Sequence, residues 1–213
     1  MPNKLKALQE KLGISQSKFI CLAISLLLLI PLFLLDILTK VGMERLLSEK
    51  GTITVIDNFF YLELSYNKGC FNGWGADSIP AHILLIIISF LGALVILWVL
   101  LFKVKILSNI QIIGLGLMLP GDLGNLVDRV IFSKENGFRG VIDFLRFDFG
   151  SYTWPNFNVA DSLLVVGIIL FAIGIIFESS SKELDKAIEE EDNKNSVKKE
   201  FPLLNNEGKD SDE

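Results

Sequence analysis

The sequence predicts an all-α integral membrane protein, with four transmembrane helices and a small extracytoplasmic β-sheet. Three observations carry that expectation. Half of the 213 residues are apolar (51%). These gather into four blocks close to the ~20 residues needed to cross a hydrocarbon core of ~30 Å. The carboxylates that interrupt the blocks all fall toward one side of the membrane when successive blocks alternate in direction.

The first span, 19–38, follows four lysines, Lys4, Lys6, Lys11 and Lys18. It continues into Asp36, Thr39 and Lys40 with no small-residue cleavage site, so it reads as a retained anchor and not as a cleaved signal. In the loop 41–81, the runs 52–56 and 59–64 read as short strands on either side of the turn-like Asp57-Asn58. Gly69, Gly73 and Gly75 beside Cys70, Phe71 and Trp74 predict a bent backbone with aromatics at headgroup depth.

The second and third spans cover 83–102 and 106–130, the third broken by Pro120, Asp122, Asn125, Asp128 and Arg129. The loop 131–158 holds Val141–Leu145 and an aromatic stretch, 147–157, of the kind that anchors a following helix at the interface. The fourth span is 159–177. Residues 1–177 therefore form the membrane domain, and 178–213, with the acidic run Glu189–Asp192, are expected to be a hydrophilic, disordered tail. Lys103 and Lys105 in the short link, together with the basic N-terminus, place both chain termini in the cytoplasm and both larger loops outside.

Several chemistries are excluded by what the chain lacks. A net charge of −5 without a basic patch argues against nucleic acid as a partner. Cys21 and Cys70 are too far apart in the predicted topology to form a disulfide framework. His82 is the single histidine, which leaves no HExxH zinc site and no G-x-S-x-G elbow with a triad base. The chemistry falls to carboxylates.

An ionisable group at the centre of a spanning helix costs about 2.5 to 3.5 kcal/mol on insertion scales, so each one calls for a reason. Asp36, Asp122, Asp128 and Asp161 lie at the outer ends of their spans, with Asp143 on the loop between the last two. Asp36, Thr39 and Lys40 share a helical face, as do Asn125, Asp128 and Arg129, and Asn158, Asp161 and Ser162. Such stripes can also be interhelical hydrogen-bond glue, and Asp128 beside Arg129 can be a charge-balanced pair. Spacing does not choose between Asp128 and Asp143 as the partner of Asp161.

Five motifs occur in order: Asp36-x-x-Thr39-Lys40, Asn67-x-Gly69, Gly124-Asn125-x-x-Asp128-Arg129, Val141-Ile142-Asp143-Phe144 and Phe157-Asn158-x-Ala160-Asp161. From about Phe19 to Phe177 the chain resembles lipoprotein signal peptidase, or signal peptidase II. The resemblance implies a multi-pass aspartic endopeptidase of the bacterial cytoplasmic membrane. It would cleave diacylglyceryl-modified prolipoproteins just before the lipidated cysteine, acting as a monomer among membrane lipids, with no cofactor or metal.

On the same resemblance, Asp143 and Asp161 are catalytic and Asn125 and Arg129 line the substrate site. Asp36, Lys40, Asn67, Gly69, Asp128, Asn158 and Ala160 support it. Gly121-Asp122-Leu123 departs from the usual pair of glycines and is expected to set an extra carboxylate close to the site; Cys70-Phe71-Asn72-Gly73 also departs. The competing class is a small proton-coupled transporter, against which no inverted repeat is visible.

Overall fold

The computed structural model describes residues 2–69, 78–131, 133–134, 137–138 and 140–200. Cys70, Phe71, Gly73, Trp74 and Gly75, expected to form a bent interfacial segment, lie outside the described residues.

Among the described residues, four helices are long and apolar enough to cross a membrane. They belong to α2 (Gln16–Lys50), α3 (Ile79–Phe102), α4 (Asn109–Ile131) and α5 (Val159–Glu200). The polar third span is explained by its place among them. In α4, 56% of the membrane-length window is buried inside the protein, against 11–17% for the other three. It is the central helix, so its polar groups face protein and need no lipid contact.

Glycines bring the neighbouring helices onto α4. A Cβ on Gly116 would run into Ser25 of α2, whose hydroxyl donates to the Ile112 carbonyl at 3.3 Å. Gly114 and Gly167 face each other so closely that a Cβ on either would lie 2.7 or 2.6 Å from the other's carbonyl oxygen. One α-helical repeat of seven residues along α4, a Cβ on Gly121 would meet the Ala160 carbonyl at 2.6 Å. Small residues permit this backbone approach, and dispersion together with polar contacts holds helices in lipid.

The helices differ from the sequence expectation in three places. At 35 residues, α2 is ~50 Å long at 1.5 Å per residue. It passes Leu38 and ends at Lys50, capped by Gly51 with φ +71°. Its projecting turns carry buried Leu47 and Glu44, whose carboxylate accepts from the Tyr66 hydroxyl at 2.7 Å. These contacts tie the helix to a sheet, which is why it does not stop where its apolar run stops.

Ahead of it lies α1 (Pro2–Leu12), not anticipated because eleven residues with alternating lysines give a weak signal. Leu12 and Ile14 join the core with Leu22, Leu100, Val104 and Leu107, and Lys18 Nζ donates to the Lys105 carbonyl at 2.6 Å. The N-terminal segment and the α3–α4 link therefore occupy the same end of the bundle.

At the other end is an antiparallel sheet in the order β1-β2-β5-β6, from β1 (Ile53–Ile56), β2 (Phe60–Asn67), β5 (Val141–Phe149) and β6 (Tyr152–Phe157). The ribbon β3 (Ser133–Lys134) and β4 (Gly137–Phe138) pairs separately. The first two strands match the expected runs. The stretch 147–157 does not act simply as an anchor: Phe147 pairs with Trp154 and Phe149 with Tyr152. Its rings pack on the sheet, Phe147 stacking on Phe60 with centroids 4.7 Å apart. Pro155 is tolerated because β6 is an edge strand and its register shifts between Leu145 and Phe147.

The chain divides into two units, Met1–Ile173 and Gly174–Glu213. In the second, the residues expected to be disordered are helical as far as Glu200. The stretch 175–200 contains neither Gly nor Pro and is rich in Glu and Lys, a composition that favours helix even without a core.

Candidate active site

Among the described residues, Lys40 is the only cation with a fully buried side chain, at 1% exposure. Its Nζ lies 2.7 Å from Asp36 Oδ2 on the preceding turn of α2 and 2.9 Å from Asp128 Oδ2 on α4, and it donates to Asn125 Oδ1 at 2.9 Å. Both carboxylates reach onward to a backbone N–H. Asp36 Oδ1 accepts from Ala160 N at 2.8 Å, and Asp128 Oδ2 from Ile142 N at 3.2 Å. Ala160 directly precedes Asp161 and Ile142 directly precedes Asp143. One ammonium thus fixes, through two carboxylates, the backbone on which the other two carboxylates ride.

Asp161 is held by the start of its own helix. Asn158 Oδ1 accepts from Asp161 N at 2.8 Å, and Asp161 Oδ2 accepts from Asn158 N at 3.1 Å. This is the reciprocal arrangement of a capping box, built here from Asn and Asp. The remaining oxygen, Oδ1, accepts from Asn125 Nδ2 at 2.8 Å.

Asp143 is on β5 and 1% exposed. Its Oδ1 accepts from Asn158 Nδ2 at 2.7 Å, and the Asn67 side chain supplies another hydrogen bond. Asn158, itself 0% exposed, therefore contacts both carboxylates. Burial first, and the negative charge of Asp161 second, push the Asp143 carboxyl up to about 7.

The turn carrying Asn67 and Gly69 closes the site. Asn67 pairs with Val141, and its Oδ1 accepts from Gly69 N at 3.2 Å. The Gly69 carbonyl accepts from Arg129 Nη2 at 3.3 Å. Beside it Gly140, at φ +89°, is packed so closely that a Cβ would lie 2.6 Å from the Asn67 carbonyl oxygen. Only glycine enters β5 there without strain.

Every anticipated site residue is described, and together they make one connected centre. Two polar residues stand apart from it. Thr39 Oγ1 donates back to the Leu35 carbonyl of its own helix at 2.7 Å, and Ser162 Oγ donates to the Asn158 carbonyl at 3.0 Å. Asp122, expected close to the site, interacts electrostatically with Arg129 two turns further along α4, while Ser89 of α3 hydrogen-bonds its carboxyl and a Cβ on Gly92 would lie 3.3 Å from Oδ2. It is six residues before Asp128, so nearly two helical turns separate them.

Gly124, Gly140 and His82 were missed as parts of the site. For the two glycines the signal was their place beside the Asn125 and Val141 motifs. A Cβ on Gly124 would collide with Asp36 Oδ2, which Lys40 holds in place. Gly124→Ala is accordingly expected to cost about 1–3 kcal/mol, as overpacking does. Thermal unfolding of the detergent-solubilised protein checks this.

Four membrane-length helices, one of them central and polar, capped by a sheet that delivers a buried carboxylate beside another at a helix head, define a multi-pass membrane protein with an enclosed acidic centre. The family model for signal peptidase (SPase) II matches residues 28–177, and the chain belongs to that family, which makes it a protease. It is 35% identical over 144 residues to the lipoprotein signal peptidase of Geobacillus kaustophilus (strain HTA426), covering 68% of this chain and 87% of the relative. The enzyme of the same name from Staphylococcus carnosus (strain TM300) is 31% identical over 163 residues, 76% of this chain and 96% of that one. A solved bacterial membrane enzyme structure shares the fold with a TM-score of 0.61 at 23% identity, over 75% of this chain and 92% of the other. The transporter alternative finds no support in these likenesses.

Proposed function

We propose that this protease cleaves the signal peptide from diacylglyceryl-modified prolipoproteins just before the lipidated cysteine, with Asp143 and Asp161 as its catalytic pair. The observation that carries the reading is the convergence of those two carboxyls on Asn158, from β5 and from the head of α5. Asn125 and Arg129, with the Gly69 turn, line the side that receives the peptide. Lysines at the opposite end of the bundle, Lys18, Lys103 and Lys105, favour a cytoplasmic location for that end, which sets the sheet outside the bacterial inner membrane. The chain works as a monomer among lipids.

Two nearby carboxyls in a poorly hydrated site resist double ionisation, so the pair carries one proton. The ionised member takes a proton from the water that attacks the scissile carbonyl carbon, while the protonated member hydrogen-bonds the carbonyl oxygen. The C–N bond then breaks as a proton passes to the departing amine.

Mass spectrometry of a diacylated precursor before and after incubation with the purified protein tests the reading. Loss of the signal-peptide mass with the lipidated cysteine at the new N-terminus is expected, and an unchanged precursor refutes it. The same assay is expected to give a bell-shaped kcat/KM profile. Above pH ~7 the proton on Asp143 is lost, both acids are charged and activity falls. On the acid side activity falls as the remaining base is protonated. A rate that keeps rising through pH 9 would exclude a shared proton.

A further inference from the structure

The single histidine plays no part in the chemistry above, yet His82 is 3% exposed in the first turn of α3. Its ring lies between two backbone carbonyls from otherwise separate elements. Nδ1 is 3.4 Å from the Lys68 carbonyl oxygen, in the turn after β2, and Nε2 is 3.3 Å from the Arg129 carbonyl oxygen, in the last turn of α4. A carbonyl oxygen only accepts, so a ring nitrogen bonds it only by carrying a hydrogen: a neutral ring holds one of the two, and an imidazolium holds both.

The residues held in this way belong to the peptide-facing side. Lys68 directly precedes Gly69, whose carbonyl accepts from the Arg129 guanidinium at 3.3 Å. Arg129 and the Gly69 turn are thus linked twice, once side chain to backbone and once through His82. An apolar side chain would fill the same space on this apolar helix, but it would offer neither carbonyl a donor.

We infer that His82 is a positioning residue for substrate binding: it fixes the backbone of Lys68 and Arg129, so that the Gly69 turn and the Arg129 guanidinium meet the precursor at a set distance. It touches neither substrate nor reacting atoms. The inference rests on the proposed role of Arg129 at the peptide-facing side. It separates that side of the site, held by His82, from the Asp143–Asp161 pair, held by Lys40 through Asp36 and Asp128. The two halves of the machinery therefore have different supports, and loss of one should be read in KM and loss of the other in kcat.

Steady-state kinetics of the full-length protein in detergent, on a synthetic diacylated precursor peptide, test this with four variants. The Gln amide nitrogen reaches about as far as Nε2 and the Asn amide nitrogen about as far as Nδ1, so His82→Gln keeps the Arg129 contact and His82→Asn the Lys68 contact. His82→Leu keeps neither. Loss of one buried hydrogen bond is worth about tenfold. His82→Leu is therefore expected to raise KM about tenfold with kcat within about threefold, and His82→Gln to restore KM to within about threefold of the parent.

A parent-like KM in His82→Leu, a rise in His82→Leu that neither His82→Gln nor His82→Asn lessens, or a fall in kcat at constant KM each overturns the inference. If His82→Leu does not fold, His82→Asn and His82→Gln decide: a KM raised in either one with kcat within about threefold supports positioning, and a parent-like KM in both overturns it. Arg129→Ala is measured alongside. If it leaves KM unchanged, the proposed role of Arg129 fails and this inference falls with it; if it raises KM while the His82 variants do not, the inference fails alone.

Discussion

Replacing Asp143 or Asp161 by Asn is expected to lower kcat by about 10³-fold or more, since each variant deprives the pair of a proton donor or acceptor worth 10²–10⁴. The two variants are expected to differ in stability. In the parent, burial and the Asp161 charge disfavour the ionised form of Asp143, whose carboxyl is pushed up to about 7. Because the folded-state value is raised, the associated stability is complete below the unfolded-state value near 4 and is lost as pH rises through about 7.

Asp143→Asn cannot ionise, so its unfolding temperature is expected to exceed that of the parent at pH 8 and to approach it at pH 5. A shift of about three units corresponds to a few kcal/mol at most. Asp161→Asn has no such gain. Both Asp161 oxygens accept from N–H groups, of Asn125 and Asn158, and an amide sets an NH₂ against one of them. A modest loss of stability is expected at every pH. Unfolding curves at the two pH values, with precursor cleavage measured on the same preparations, check both halves. Retained cleavage in both variants would remove the aspartic mechanism.

The parts of this architecture that were legible in the sequence are those whose cause is local. Four apolar runs declare themselves by length, and 52–56 with 59–64 by β-branching and a turn. Ionisable residues within or near the ends of the spans are costly enough in a membrane that each calls for a reason, which is how Asp36, Asp128 and Asp161 were singled out before any geometry. What was not legible depends on partners distant in the chain. Where α2 ends is decided by the sheet that Glu44 and Leu47 meet, and not by its own hydropathy. Asp122 interacts electrostatically with Arg129 as its place in the chain suggested, but its hydrogen bond to Ser89 of α3 has no signal along the chain. His82 looked like an isolated residue on an apolar helix because both of its contacts are main-chain carbonyls, which have no side-chain signature. The choice between Asp128 and Asp143 was open to spacing. The structure places Asp128 on Lys40 and Ile142 N, and Asp143 on Asn158 opposite Asp161.

That division makes Lys40 the residue whose loss should cost most. Lys40→Met keeps the length of the stem but leaves Asp36 and Asp128, at 0% and 1% exposure, without their shared cation. Breaking a buried ion pair by removing one partner costs about 3–5 kcal/mol, a large share of the 5–15 kcal/mol by which proteins are stable. Lys40→Met is therefore expected to yield little folded protein and no cleavage.

The cause is charge left behind and not the missing contact, so neutralising both acids should reverse much of the loss. In the triple variant Lys40→Met, Asp36→Asn, Asp128→Asn, each Asn carbonyl can still accept from Ala160 N or Ile142 N, the bonds that seat Asp161 and Asp143. Replacing a buried ionic cluster with neutral groups of similar volume is often neutral in stability or better. Thermal unfolding of the single and triple variants measures the difference. A triple variant no more stable than Lys40→Met would show that the ammonium acts through geometry that neutral side chains cannot copy.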